Sequence, residues 1–315
     1  MYIEYEKVNI TKQGHFSDIG HSGRGVFVAS AVLKLLSIET FDLYIYEHQL
    51  FSISVVETLT RLLIAVEFTI GVLLIIGLER KFAYWTAMLM LVGFTIYLIV
   101  LPYVFHVDIN NCHCFGEQLV LNRTQSIAKN LILLCLLIPI NTDYGIKWKK
   151  SPVIVAVLGV VVVTLVMVIN APNYLYTLIY GNQQKINAEL YQTALKNTDK
   201  YDEFTQGKQI ICMYSTACGY CKKSVKKVHA MMQREQIPQD KVKVIFWRAE
   251  TDEPMHKFFR EQKVTPLAYT TFTVDTFLNI TEGKMPVILF SDEGNIVQTM
   301  SYTTLQEKDI LHFLQ

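Results

Sequence analysis

Apolar residues dominate four stretches in the first 180 positions: 59–78, 82–105, 125–141 and 152–171. A helix that crosses the roughly 30 Å hydrocarbon core needs about 20 mostly apolar residues. Each stretch therefore predicts a spanning helix. A shorter run starts at Gly25 (GVFVASAVLKLLSI), and Glu39 and Asp42 interrupt its continuation. It is read as the first of five spans. The first 23 residues are polar and contain no apolar signal core, so no cleaved leader is expected.

The pattern changes after residue 183. Residues 183–200 read as a polar helix leaving the membrane. KQIICMYS (208–215) reads as a short buried strand, and KKSVKKVHAMMQREQ follows as a helix with Val225, Val228, Met231 and Met232 on its apolar side. KVKVIFWRA (241–249) predicts a second strand and EPMHKFFREQ a second helix. MPVILFS (285–291) and NIVQTMSY (295–302) predict two strands joined by Asp292-Glu293-Gly294-Asn295, a hairpin signal. TLQEKDILHFL closes the chain as an amphipathic helix. No element is assigned between residues 263 and 284.

Charge separates the same two regions. Residues 183–315 hold 17 Lys/Arg and 16 Asp/Glu, a density near the 25% of soluble domains, whereas the longer first part holds only 12 of each. This excludes a single soluble globule, a disordered chain and a disulfide-dense miniprotein. A net charge of +1 gives no basic footprint for nucleic acid. Lys and Arg in short loops set orientation. With five spans, Lys7, Lys12 and Arg24, then Arg80 and Lys81, then Lys147, Lys149 and Lys150 all fall on one face. That face is cytoplasmic, and the C-terminal part lies outside. A four-span count keeps the C-terminus outside and exports the N-terminal tail. Tyr174, Tyr176 and Tyr180 sit where an outer aromatic belt belongs. Within the spans, Lys34 and Glu67 read as an ion pair that fixes packing, a snorkelling lysine, or a relay site.

The first strand of the charge-normal part runs into Thr216-Ala217-Cys218-Gly219-Tyr220-Cys221, at the start of a helix. Strand, CxxC, helix, strand, helix, hairpin and last helix resemble the thioredoxin fold over about 205–315. A cysteine at a helix N-terminus meets free backbone N–H groups and the helix dipole, both of which stabilise a thiolate. Cys221 lies one turn on, within reach of a mixed disulfide. The resemblance implies that Cys218 is the exposed nucleophile and Cys221 the buried resolving thiol. It also implies that Met285-Pro286 is the family's cis-proline, packing over the CxxC and presenting backbone groups to a peptide. Thr265-Pro266 is a rival that lacks an immediately following strand and hairpin. A static disulfide or half a zinc site is the bland reading, for which His229 is a poor further ligand. Cys212 and Cys135 read as packing residues.

A second pair lies in the exterior loop His106–Glu117, as Cys112-His113-Cys114-Phe115-Gly116. With Glu67, Gly71 and Gly77, this Cys-x-Cys-Phe-Gly piece resembles the MauE branch of the DoxX-like membrane proteins over roughly 24–170; His113 replaces a usually small residue. That family is associated with a periplasmic thioredoxin-like partner in methylamine utilisation, and here such a partner is fused to it. The topology puts both cysteine pairs on one face, and the linker raises their effective concentration. A Cys112–Cys114 disulfide would close a small strained ring and be relatively oxidising. A protonated His113 would lower a neighbouring thiol pKa. A structural disulfide, or a metal held by His106, Cys112, His113 and Cys114, are the other readings of this cluster.

The expectation is a membrane α-helical bundle of about five transmembrane helices followed by an α/β thioredoxin-like domain. Its parts are a cytoplasmic tail (1–23), the transmembrane domain (24–171), a linker helix (172–204) and the thioredoxin-like domain (205–315). The expected function is thiol:disulfide exchange between cysteine-containing exported proteins, Cys218/Cys221 and Cys112/Cys114, in a bacterial inner membrane with the C-terminal domain in the periplasm. No metal, and no cofactor in the thioredoxin-like domain, is expected. A quinone or another membrane electron carrier would complete the circuit, although the sequence holds no recognisable site for one. The alternative is a non-enzymatic membrane anchor or metal-handling protein whose thioredoxin-like domain binds a client.

Overall fold

The computed structural model describes residues 25–105, 121–138, 151–180, 184–247 and 253–315. Lys7, Lys12, Arg24, His106, Cys112, His113, Cys114, Lys147, Lys149 and Lys150 lie outside these residues. The chain forms two compact units, one of residues 1–44 and 57–171, the other of residues 45–56 and 172–315.

The first unit is helical. It contains α1 (Gly25–Leu36), most of α2 (Ile38–Tyr46) and of α3 (Ile53–Ile76), then α4 (Arg80–Phe105), α5 (Arg123–Leu137) and α6 (Ser151–Ile169). Among the described residues, three helices are long and apolar enough to cross a membrane: α3, α4 over Arg80–Val100, and α6. The stretch expected at 125–141 is helical over Arg123–Leu137 and then leaves the described residues. The run from Gly25 is a short helix that turns at Ser37 before α2 begins. Asn122 starts α5 through a reciprocal cap: its side chain accepts from Gln125 N–H (2.9 Å) and its own N–H donates to Gln125 Oε1 (3.0 Å). Leu73, Leu74, Ala83, Ala87, Leu91, Leu133 and Leu137 pack as one core of α3, α4 and α5. Val153, Val157, Val160 and Val168 of α6 remain exposed, the surface a lipid-facing helix presents.

Lys34 and Arg61 form buried ion pairs inside this unit. Lys34 Nζ meets Glu67 Oε2 at 2.6 Å and donates to Ser30 Oγ at 3.1 Å. Arg61 Nη1 meets Asp42 Oδ2 at 2.7 Å. Gly71 lets α1 approach α3: a Cβ there would lie 2.7 Å from Val28 Cγ2 and 2.9 Å from Val28 N, whereas a Cβ at Gly93 would meet nothing within 4 Å. Gly71→Val is therefore expected to destabilise the membrane unit by roughly 1–3 kcal/mol through overpacking, and Gly93→Ala to leave it intact. Thermal unfolding of the two variants in detergent checks this; equal melting temperatures would contradict the close approach.

The second unit is a three-layer α/β/α fold. Its five-stranded sheet has the order β3-β2-β1-β4-β5, from β1 (Lys208–Tyr214), β2 (Val242–Trp247), β3 (Ala268–Phe272), β4 (Val287–Asp292) and β5 (Asn295–Ser301). β1 is central, parallel to β2 and antiparallel to β4, and β2 is parallel to β3. The helices are α7 (Asn173–Tyr180), α8 (Ala188–Lys196), α9 (Tyr201–Thr205), α10 (Gly219–Arg234), α11 (Glu253–Gln262), α12 (Val274–Thr281) and α13 (Glu307–Leu314). Period-two alternation sends Ile210, Cys212 and Tyr214 to one core with α10, α11 and α13, and Ile211 and Met213 to the other with α8, α9 and α12. Both faces of β1 are covered, so its sequence is a continuous apolar run. The Asp292–Asn295 hairpin forms as expected, with Glu293 (φ 47°) and Gly294 (φ 79°) in the left-handed region that a tight hairpin turn requires.

Three features depart from the sequence reading. A strand, β3, does follow Thr265-Pro266, and Thr273 then caps α12 by accepting from Thr276 N–H (3.4 Å). Residues 188–204, assigned from sequence to the linker, bury Tyr191, Leu195 and Phe204 against the sheet. Residues Ile45–Val56, placed from sequence within the transmembrane domain (24–171), belong to the α/β unit. Tyr46, Ile53 and Val56 enter its core, Ile53 N–H donates to Glu307 Oε1 (2.8 Å), and Gln49 Nε2 donates to Gln233 Oε1 (2.8 Å).

Candidate functional site

The site lies where β1 ends and α10 begins. Cys218 is the N-cap of α10, in extended conformation (φ −81°, ψ 119°), and its Sγ accepts from Cys221 N–H at 3.4 Å. An N–H of the first helical turn thus points at the sulfur that would carry negative charge. Cys218 is partly exposed, whereas Cys221 is buried and its Sγ accepts from Ser215 N–H at 3.4 Å. Burial pushes the Cys221 thiol well above its ordinary range, and the Ser215 N–H partly offsets this. The accessible nucleophile and the protected thiol are therefore distinct residues one helical turn apart.

Met285–Pro286 is the cis peptide bond among the described residues. Pro286 is buried at the start of β4, and Met285 packs on the same core cluster as Cys218 and Cys221. Thr265-Pro266 is trans, and its loop is held by His229, whose Nε2 accepts from Thr265 N–H (3.3 Å). A nitrogen used in this way is not offered to a metal. Cys212 is fully buried in β1, and burial pushes its thiol up to about 12. Beside it, the Tyr214 hydroxyl and Ser224 Oγ lie 2.9 Å apart beneath the start of α10.

One residue of this face escaped sequence reasoning. Tyr220, between the two cysteines, is 57% exposed, and its ring lies 6.2 Å from that of Tyr302. Lys227 fixes the Tyr302 segment from below, donating to Tyr302 O (2.8 Å) and Thr303 O (2.9 Å). An aromatic between two cysteines at a helix start has no inward direction available to it, and that was the available signal. The secondary pair Cys112/Cys114 and His113 lie outside the described residues. Lys34 and Glu67 belong to the membrane unit.

The thiol environment sets a pH dependence. Cys221 and Cys212 have ordinary values of 9.0 that the folded state raises. Below that value both states are protonated, so their contribution is fully present. As pH rises through it, unfolded thiols ionise while folded ones do not, and stability falls. The reduced protein should therefore lose stability more steeply from pH 9 towards 12 than the oxidised one, in which Cys221 does not titrate. Parallel denaturant titrations with equal slopes would contradict the buried assignment of Cys221.

The family model "Methylamine utilisation protein MauE" matches residues 23–140. Protein TlpB of Flavobacterium psychrophilum is 22% identical over 286 residues, covering 75% of this chain and 77% of that protein. Among solved structures, the thioredoxin domain of a Bacteroides vulgatus thiol-disulfide oxidoreductase aligns with 16% identity and a TM-score of 0.29, over 36% of this chain and 84% of that one. A thiol:disulfide interchange protein from a Bacteroides species aligns with 17% identity and a TM-score of 0.28, over 36% and 74%. A central β1, a CxxC at the start of the next helix and a cis-proline before β4 are the plan of the thioredoxin fold. The chain thus joins a MauE region at residues 23–140 to a thioredoxin-like domain that carries the Cys218/Cys221 pair.

Proposed function

We propose that this protein is a membrane-bound thiol:disulfide oxidoreductase. The observation that carries the reading is the asymmetry of the pair: Cys218 Sγ is accessible at a helix N-terminus and Cys221 Sγ is buried behind it. The Cys218 thiolate attacks one sulfur of a client disulfide, forming a mixed disulfide and expelling the other client sulfur as a thiolate. Cys221, after losing its proton, attacks Cys218 Sγ, forms the Cys218–Cys221 disulfide and releases the second client thiolate. Two electrons pass to the client; the reverse sequence oxidises it. Exposed Tyr220 and the backbone beside cis-Pro286 offer a client peptide an apolar contact and hydrogen-bonding groups.

In this reading the membrane domain has five spans in a bacterial inner membrane, with the catalytic domain on the periplasmic side. The three long apolar helices and the Lys/Arg distribution support it. Clients are exported proteins with cysteines, and Cys112/Cys114 exchange disulfides with Cys218/Cys221. Alkylation trapping in native membranes tests this: after a reductant pulse, both pairs should shift state together, and Cys218→Ser should uncouple them. Both pairs fixed in one state throughout the pulse would refute the relay. A stoichiometric metal lost with Cys112 and Cys114 would favour a metal-handling anchor instead.

A further inference from the structure

We propose that the membrane unit contains a quinone-binding site, in the cavity between α1, α3, α4 and α5. The inference rests on the thiol-exchange reading above, because a quinone is a two-electron acceptor for a dithiol. The cavity measures about 280 Å³, and most of its lining is apolar. Exposed Leu63 and Leu89 form part of its rim, so it is open on the surface that faces lipid. Polar groups nevertheless converge in it: Lys34, Glu67, Lys129 and Asn130. Apolar walls with a few placed polar groups are the composition of a small-molecule site.

Asn130 is the specific observation. Its side chain is fully buried and Nδ2 donates to Thr95 Oγ1 at 3.1 Å. Thr95 spends its own proton on Leu91 O (2.7 Å), so Oγ1 can only accept. This fixes the amide orientation and leaves Asn130 Oδ1 buried with no partner. A buried unpaired acceptor is costly, and a ligand O–H would relieve it. Among the described residues, two basic side chains and one carboxylate line the cavity. That combination suits a ring that arrives as a carbonyl acceptor, takes negative charge during reduction and leaves as a hydroxyl donor. Lys34 donates to one quinone oxygen, and Asn130 Oδ1 accepts from the quinol hydroxyl.

The step balances. Two S–H bonds of a cysteine pair in this chain break and one S–S bond forms. The quinone gains two electrons and two protons, forming two O–H bonds.

The full chain in lipid nanodiscs tests the site with decyl-ubiquinone as the probe. Wild-type protein should bind it saturably, and fully reduced wild type should convert it to quinol with loss of thiols. Asn130→Leu removes the open acceptor. Gly93→Leu fills the cavity from a position where an added Cβ meets nothing within 4 Å, so it is expected to fold. Each should weaken binding about tenfold or more, a change that needs no thiol chemistry to be read. Binding that is unsaturable, or unaltered in both variants, overturns the site. So does displacement by oleate but not by quinol, which would mark a lipid-chain cavity. Saturable binding by a protein that exchanges no thiols with a soluble disulfide would refute the oxidoreductase reading and leave the site standing.

Discussion

Cys221→Ser in the full-length protein is expected to accumulate a covalent complex with client proteins through Cys218, whereas Cys218→Ser abolishes exchange and forms no complex. The effect is all-or-none because the two sulfurs have different work. Cys218 is the partly exposed cap of α10, and its Sγ accepts from Cys221 N–H at 3.4 Å. Cys221 is buried, and its thiol is held protonated by that burial. Without Cys221 the mixed disulfide has no internal attacker, so the client stays attached until an external thiol releases it. Non-reducing gels of membranes after acid quench and alkylation check this. Equal complex formation in both variants, or complexes through Cys221, would contradict the assignment of roles.

Leu195→Ala is expected to destabilise the α/β unit by roughly 2–5 kcal/mol, and Tyr191→Ala by about 3–5 kcal/mol. Both residues lie in α8, on a segment that sequence alone reads as a connector, yet they are at most 1% exposed. They pack with Ile211, Met213, Ile245 and Leu289 on the face of the sheet opposite the cysteine helix. The loss should lower the melting temperature by on the order of ten degrees. Tyr191→Phe should be neutral or stabilising, since the Tyr191 hydroxyl is buried without a hydrogen-bond partner. Pulse proteolysis of the full chain separates the cases. A Leu195→Ala protein as resistant as wild type would show that α8 is a dispensable tether.

Much of the fold was legible because its signals are local. Length and apolarity alone identify α3, α4 and α6, and the continuous run in β1 followed by CxxC identifies a covered central strand with a helix start behind it. The resemblance to the thioredoxin fold pointed to Met285-Pro286, which stands before a strand and hairpin. What escaped depends on tertiary partners. β3 (AYTTF) is a short edge strand whose weak alternation acquires meaning only beside β2. The polar look of residues 188–200 hides the two large apolar side chains, Tyr191 and Leu195, that fit the sheet. Ile45–Val56 carries no pattern of its own; what it offers is Tyr46 and Ile53 to a core formed some 160 residues later. At the site, the cysteines were readable as a motif, whereas the support of Tyr302 by Lys227 joins two elements distant in the chain. In the membrane unit, Lys34 and Glu67 were visible as polar exceptions, and their 2.6 Å pairing is a property of the folded helices.

The central claim is that Cys218 and Cys221 form a reversible two-electron couple in the intact membrane protein. Equilibrating the full chain in nanodiscs against graded dithiothreitol ratios, then quenching and counting alkylated thiols at these two positions, measures it directly. The account predicts one transition in which both thiols appear together, with a slope for two electrons and the same midpoint approached from either direction. A pair that stays fully reduced or fully oxidised across the whole range, or thiols that appear at separate potentials, would contradict it.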